Sequence, residues 1–243
     1  MRVKAIVMYD GSSYKGWQVQ NEGNTIQETI EKVIQRISSE EIRIIGSGRT
    51  DAGVHALGQV FHFDTGKELG DKEWENAMNA LLPLNIRIQK IEFVSDEFHA
   101  RFSVKRKIYQ YDLNCGAFDP FHYLTVYQYG KKLNIKKMKE ATRIFIGYHD
   151  FTSFCANKKE EVENQCKEIY NINIEEKKDI LSIEFVGEGF LRYMIRMIVG
   201  TLIKVGEEKL TVLEVQEMLK AKNKEICPFN APACGLYLVK VEY

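Results

Sequence analysis

The chain has 243 residues, enough to bury a substantial core either as one large domain or as two small ones. Hydrophobic residues make up 44% and charged residues 28%, with only 4 prolines, so the composition excludes a disordered or low-complexity protein. No apolar run approaches the ~20 residues of a membrane span, and the charges at Arg2, Lys4 and Asp10 leave no signal-peptide core. A cytoplasmic location is expected.

The charge is balanced overall but unevenly distributed. Lys and Arg total 34, as do Asp and Glu, which argues weakly against a nucleic-acid partner. Residues 99–107 nevertheless contain four Lys or Arg and no acid, and residues 131–139 contain five and no acid. These runs predict a basic groove, with two solvated lysine-rich faces as the alternative.

Cysteine and histidine patterns give no indication of a metal or a disulfide framework. The five cysteines are odd in number and form no C-x-x-C pair, so reduced thiols are expected. His55 and His62 match no ligand spacing, and we expect no metal site.

In the first half, alternation over Arg2–Tyr9 predicts a strand, and Thr25-x-x-Glu28 predicts a capping box that begins a helix. The apolar face of that helix contains Ile26, Ile30, Val33, Ile34 and Ile37. The further predicted elements are strands over 42–45, 59–63 and 86–93, and a helix capped by Asp71 that carries Trp74, Met78 and Leu81.

The second half repeats this mixture of strands and helices. The predicted elements are a strand over 104–113, a helix over 136–145, a hairpin of 170–175 with 180–186, a long apolar helix over 190–205, a helix capped by Thr211-x-x-Glu214, and a strand over 235–241. The pattern predicts an α+β protein of two ferredoxin-like or RRM-like subdomains, residues 1–103 and 104–243, with mixed, mainly antiparallel sheets packed around a central cleft.

The most informative segment is 46–59, GSGRTDAGVHALGQ, a glycine-rich loop between two predicted strands. Gly46, Gly48 and Gly53 permit backbone turns that other residues avoid. Such a loop can hold Arg49 and Asp51 at its tip, facing a substrate. The alternative is that the Asp51 side chain only closes an Asx-turn on its own backbone.

The string GRTDAGVHA, followed by GQV, resembles the signature of the TruA family of tRNA pseudouridine synthases. Five further matches appear in the family's order over nearly the whole chain. They are Tyr9-Asp10-Gly11 with Gly16-Trp17-Gln18, FHARFS at 98–103, HDFTSF at 149–154, MIRMIVG at 194–200 and APACGLYL at 231–238.

The resemblance implies an enzyme that isomerises uridine to pseudouridine at positions 38, 39 and 40 of the tRNA anticodon arm, without a cofactor and as a homodimer. It assigns catalytic roles to Asp51, as the essential carboxylate, and to Tyr109, as the residue that stacks on the uracil. Arg49 is expected to fill the space of a flipped nucleotide and hold a phosphate. The remaining substrate-binding candidates are Leu236 in the uracil pocket and the cations Arg101, Lys105, Arg106 and Lys107.

Arg196 lies in an apolar stretch, where an unpaired charge would be costly, so an anionic partner is expected. The resemblance makes that partner Asp51 and makes Arg196 the third catalytic candidate.

Several structural alternatives stay open. Tyr109 can be a half-buried strand tyrosine, Arg49 a surface arginine and Leu236 a core residue. The rival function is a noncatalytic RNA-binding protein with two RRM-like units, although no RNP1-like string is present. A thiol hydrolase using Cys155 near His149 and Asp150 is the third interpretation.

Overall fold

The structure, a computed structural model, describes residues 1–158, 160 and 162–243. In chain order, its strands are β1 (Arg2–Tyr9), β2 (Ile45–Gly46), β3 (His55–Asp64), β4 (Ile86–Val94), β5 (Arg106–Asn114), β6 (Tyr127–Gln128), β7 (Gly147–Asp150), β8 (Cys166–Lys177), β9 (Ile180–Gly187) and β10 (Leu236–Glu242). Its helices are α1 (Ile26–Ser38), α2 (Asp71–Leu81), α3 (Ile135–Thr142), α4 (Met194–Gly206) and α5 (Val212–Lys220). Among the described helices, none is long and apolar enough to cross a bilayer.

These elements form two compact units. The N-terminal unit comprises Met1–Lys105 with Tyr237–Tyr243, and the C-terminal unit comprises Arg106–Leu236. The chain therefore returns to the first unit for nearly all of its last strand. Both units combine helices with mainly antiparallel strands, which confirms the predicted α+β class.

The N-terminal unit contains a βαββαβ sequence of elements. β1 lies between β3 and β4 and is antiparallel to both, while the two-residue β2 pairs antiparallel with the far side of β3. This is a ferredoxin-like arrangement whose second strand is very short. β10 is added parallel to β3 through Tyr237 and Leu238.

Local sequence explains β1 and α1. Val3, Ala5 and Val7 are fully buried at alternate positions of β1, as the pleat of a strand requires. The Thr25 hydroxyl caps α1 by accepting a hydrogen bond from the Glu28 amide at 3.4 Å. The apolar face of this helix is buried as predicted, except that Ile37 is only partly buried.

Three predicted details of the N-terminal unit were wrong. The expected strand over 42–45 is only Ile45–Gly46, because side chains of α1 bind the Ile44 backbone: Glu31 accepts from its amide at 3.0 Å and Gln27 donates to its carbonyl at 3.2 Å. The cap of α2 is Gly70, and Asp71 is the first helical residue. Leu81, expected on the buried face, is 36% exposed at the end of that helix.

The C-terminal unit has the strand order β5-β9-β8-β7, with every neighbouring pair antiparallel, and β6 adds parallel to β5. The predicted hairpin is confirmed as β8 and β9, and α5 has the predicted capping box between Thr211 and Glu214. α3 packs against the C-terminal end of α4, where the Asn134 amide donates to the Gly206 carbonyl at 2.9 Å.

Both of the other helices in this unit are shorter than predicted. α3 ends at Thr142 rather than at 145, because the next amides, of Ile144 and Phe145, bond three residues back in tighter turns. α4 begins at Met194 rather than at 190, because Tyr193 has φ 62° and a left-handed residue cannot continue an α-helix.

Candidate active site

The segment 46–54, called the Asp51 loop, joins β2 to β3. Its first half is tied to β3: the Ser47 amide donates to the Val60 carbonyl at 2.7 Å, and the Ser47 hydroxyl donates to Gln59 at 2.5 Å. The side-chain amide of Gln59 also donates to the Gly48 carbonyl at 2.9 Å. Gln59, in the GQ that follows the motif, therefore fixes the first half of the loop to β3.

The tip of the Asp51 loop is a tight turn. The Val54 amide donates to the Asp51 carbonyl at 3.1 Å, and Gly53 has φ 75°, the left-handed value that such a turn requires at this position. The Gly53 amide donates to the Tyr14 carbonyl at 3.3 Å. Main-chain bonds thus define the turn, with the Asp51 side chain partly buried and Arg49 exposed.

Two glycines let the neighbouring backbone approach this loop. Gly16 has φ 92°, and a Cβ at that position would lie 2.6 Å from the Thr50 carbonyl oxygen. A Cβ at Gly11 would overlap the Val54 carbonyl. The Trp17 amide donates to the Thr50 carbonyl at 3.1 Å. The early motif Tyr9-Asp10-Gly11 with Gly16-Trp17-Gln18 therefore forms the support behind the Asp51 loop.

A buried hydrogen bond connects β1 to the residue before Asp51. The hydroxyl oxygens of Tyr9 and Thr50 lie 2.9 Å apart, and both side chains are buried. Burial raises the pKa of Tyr9, so its phenol is neutral. Sequence reasoning missed this contact.

The FHARFS segment forms a turn anchored on β3. The buried His62 accepts the Ala100 amide at Nδ1, 3.1 Å away, and its pKa falls to about 4, chiefly because of burial and then because of nearby Arg2. Neutral His62 can therefore keep this acceptor role. Beyond it, Arg101 and Phe102 are exposed, as is Lys105.

In the C-terminal unit, β5 presents two tyrosines on one face. Tyr109 is 8% exposed, and its ring meets Phe190 edge to face, with centroids 5.2 Å apart. Tyr111 is fully buried and donates to the Pro232 carbonyl at 2.8 Å; burial raises its pKa. Tyr111 therefore has a structural partner that fixes its hydroxyl.

Arg196 lies in the first turn of α4 and is partly buried, whereas Met194, Ile195, Met197, Ile198 and Val199 around it in sequence are buried. Its Nε donates to the Ala231 carbonyl at 2.7 Å, and its guanidinium carbon lies 4.9 Å from the centre of the Tyr193 ring. Tyr111 of β5 bonds the carbonyl of the next residue, Pro232. Segment 231–235 is therefore hydrogen-bonded to both α4 and β5.

The predicted site residues fall into two groups. The N-terminal unit holds Asp51 and Arg49 on one loop, and Arg101 and Lys105 on and after the FHARFS turn. The C-terminal unit holds Tyr109, Arg196, the buried Leu236, and Arg106 with Lys107 at the start of β5. The pairing of Arg196 with Asp51 stays a prediction. Across the described residues, no group of three or more His, Cys, Asp or Glu side chains is placed to hold a metal ion.

The long connection between β5 and β6 exposes apolar rather than basic side chains. Phe118 is 66% exposed and Phe121 is 91% exposed, while the sequence contains no Lys or Arg between Lys107 and Lys131. This connection therefore lacks the cations that contacts to phosphates use.

Comparison with known proteins agrees with the resemblance. A family model described as tRNA pseudouridine synthase matches residues 5–103 and 141–243. Proteins named tRNA pseudouridine synthase A are similar over the full chain: that of an Exiguobacterium species is 45% identical, covering 100% of this chain and 98% of its own length. Those of Bacillus licheniformis and Bacillus subtilis (strain 168) are 43% and 42% identical, each covering 100% of this chain and 99% of their own lengths. The chain belongs to the TruA family of tRNA pseudouridine synthases.

Proposed function

We propose that this protein isomerises uridine to pseudouridine at positions 38, 39 and 40 of the tRNA anticodon arm. The observation that carries the proposal is the Asp51 loop, in which main-chain bonds and glycine contacts hold a partly buried carboxylate at the tip of a tight turn. The family match and the relatives' names supply the substrate.

The reaction rearranges one nucleotide without gain or loss of atoms. The bond from uracil N1 to the ribose C1′ breaks, the base turns, and C5 bonds to C1′, while the C5 proton leaves and N1 gains a proton. An ionised carboxylate can serve as nucleophile toward the sugar or the base, or as the base that removes a ribose proton. No redox or phosphate-transfer cofactor is needed for any of these routes.

The other site residues have proposed roles that fit their surroundings. Tyr109 would stack on the target uracil, and its edge contact with Phe190 supports the orientation of its ring. Arg196 would keep the Asp51 carboxylate ionised, with its own position fixed by the Ala231 carbonyl. Leu236 would line the uracil pocket.

Binding of the tRNA backbone is proposed for Arg49 and for the cations of the first basic run, which are exposed except for the half-buried Lys107. Arg49 would hold the phosphate beside the flipped nucleotide, and Arg101, Lys105, Arg106 and Lys107 would contact further phosphates. Specificity would then come from overall tRNA shape and from a pocket that recognises uracil. A homodimer is also proposed, by resemblance, together with the cytoplasmic location expected from the sequence.

The test is to incubate the purified protein with unmodified tRNA transcripts and map pseudouridine along each one. The proposal requires product at positions 38, 39 or 40 in tRNAs of differing sequence. Binding without product would favour the rival RNA-binding module, and product confined to another arm would contradict the assigned positions. A thiol hydrolase using Cys155 would form no pseudouridine at all.

A further inference from the structure

Two lysines of the second basic run form an ordered row on α3 together with the arginine that follows the run, and the proposed active site uses none of the three. Lys136, Lys139 and Arg143, called the α3 stripe, are all exposed. Their spacing of three and four residues puts them on one face of the helix. Arg143, the C-cap residue, keeps helical dihedral angles (φ −60°, ψ −27°), so it continues the row.

The α3 stripe lies away from the buried side of the helix, where Met138, Ala141 and Thr142 pack. In the part of the chain that the structure describes, none of the three cations forms an ion pair. Lys137, on a different side of the helix, differs from these three cations because its ammonium pairs with Glu208 at 3.1 Å. Glu140 is an exposed acid beside the stripe and is likewise not in an ion pair among the described residues.

The contact between α3 and α4 is distant from the site residue on α4. α3 meets the last turn of α4, where a Cβ at Gly206 would lie 2.8 Å from the Met138 sulfur. Arg196 lies in the first turn of the same helix. Ten residues at 1.5 Å each separate these positions by about 15 Å along the axis. The stripe lies on the side of α3 opposite Met138, which contacts α4, so a phosphate held by the stripe is not one that Arg196 also holds.

We propose that the α3 stripe is a second RNA contact, which binds tRNA phosphates remote from the target uridine. This inference rests on the proposed function for the identity of the RNA. The stripe spans about 10 Å of helix, and duplex nucleic acid carries one charge per ~1.7 Å of its axis, so several phosphates can face it. Contacts of this kind position an RNA without reading its sequence.

The test replaces the three cations by glutamine, as Lys136→Gln, Lys139→Gln and Arg143→Gln together. The matched control removes the same charge from exposed sites scattered over the N-terminal unit, with Arg36→Gln, Lys67→Gln and Arg87→Gln. Glutamine has a high helix propensity, so α3 should be retained, and thermal unfolding checks this. Affinity is measured from about 50 to 200 mM salt for full-length unmodified tRNA and for an isolated anticodon stem-loop.

For full-length tRNA, the slope of log affinity against log salt should become shallower by up to about 2.7 in the stripe variant, at 0.9 for each lost phosphate contact. The KM for this tRNA should rise with little change in kcat, because a remote contact adds binding that substrate and transition state share. The control variant should keep the wild-type slope, and both variants should bind the stem-loop like the wild type.

A stripe variant with the wild-type salt slope for full-length tRNA would overturn the inference, as would equal losses in the stripe and control variants. An equal loss for the stem-loop would show that the contact is not remote. A wild-type protein that binds tRNA but forms no pseudouridine would refute the proposed function, while the slope comparison would still decide this inference.

Discussion

The hydroxyl groups of Tyr9 and Thr50 share a buried hydrogen bond of 2.9 Å that joins the end of β1 to the residue preceding Asp51. Tyr9 is 4% exposed and Thr50 is 7% exposed, so water cannot replace either partner. The position of the Asp51 loop therefore depends on a strand 41 residues earlier in the chain.

Tyr9→Phe tests this dependence. The substitution leaves the Thr50 hydroxyl buried without this partner, which should lower the free energy of unfolding by about 1–2 kcal/mol. Pseudouridine formation should fall more than tRNA affinity, because the loop positions the proposed catalytic carboxylate of Asp51. Urea unfolding and single-turnover rates measure both effects. The double variant with Thr50→Val should be less damaging than the sum of the single variants; strict additivity would show that the two hydroxyls act independently.

Gly16→Ala should damage the same loop from outside. The new Cβ would lie 2.6 Å from the Thr50 carbonyl oxygen, at a backbone φ of 92° that alanine disfavours. We expect a loss of more than about 1 kcal/mol in unfolding free energy, together with slower turnover. Gly189→Ala is the control, because a Cβ there meets no atom within 4 Å. Equal unfolding free energies for the two variants would contradict the steric argument.

Asp51→Asn should abolish pseudouridine formation, because the amide is neither a base nor a nucleophile. The fold and most tRNA affinity should remain, since phosphate contacts dominate binding. Asp96→Asn, at an exposed position, provides a control with the same charge change. The measurements are product yield, tRNA affinity and thermal unfolding. More than a few per cent of wild-type turnover in Asp51→Asn would refute the assignment of the catalytic carboxylate.

Elements with strong local signals could be predicted from sequence, and those set by distant contacts could not. The alternation of apolar and polar residues correctly predicted β1, and the capping box of Thr211 with Glu214 correctly predicted the start of α5. The length of β2 was mispredicted because Ile44, expected in the strand, bonds to Glu31 of α1. The start of α4 was mispredicted because the left-handed backbone of Tyr193 has no signature in an apolar run.

The same distinction applies to the candidate site. The glycine spacing around Asp51 predicted an ordered loop, because left-handed and closely approached positions favour glycine. The partners that hold the site residues in place were missed. Arg196 bonds a carbonyl 35 residues away at Ala231, and His62 accepts from the amide of Ala100, 38 residues away. Neither pairing follows from periodicity, since tertiary packing sets both.

His62 should make the stability of the protein sensitive to pH. Its pKa is about 4 in the folded protein against 6.5 as the ordinary value, so between these limits the unfolded chain binds more protons. The stabilisation is complete above about pH 6.5 and is lost as the pH falls toward 4. His62→Gln keeps an acceptor for the Ala100 amide. The unfolding free energy that the protein loses on acidification should be smaller in this variant by about 1–3 kcal/mol. Urea unfolding at pH 7 and pH 4.5 measures this difference. His122→Gln, at an exposed histidine, is the control. Parallel plots of unfolding free energy against pH for His62→Gln and wild type would contradict the prediction.

Arg196→Met should reduce turnover severely and also destabilise the fold, because the Ala231 carbonyl loses its donor. Arg196→Lys should recover only part of the activity, since an ammonium lacks the planar fork of guanidinium.

The predicted link between Arg196 and Asp51 is tested by a double-mutant cycle of Arg196→Met with Asp51→Asn, measured as unfolding free energy. A partly buried pair in direct contact should give a coupling above about 1 kcal/mol. Arg192→Met is the matched control, because its guanidinium contacts the same Tyr193 ring at 5.1 Å from an exposed position and should not couple. Additive effects of the Arg196 and Asp51 substitutions would mean that this arginine pairs with another group.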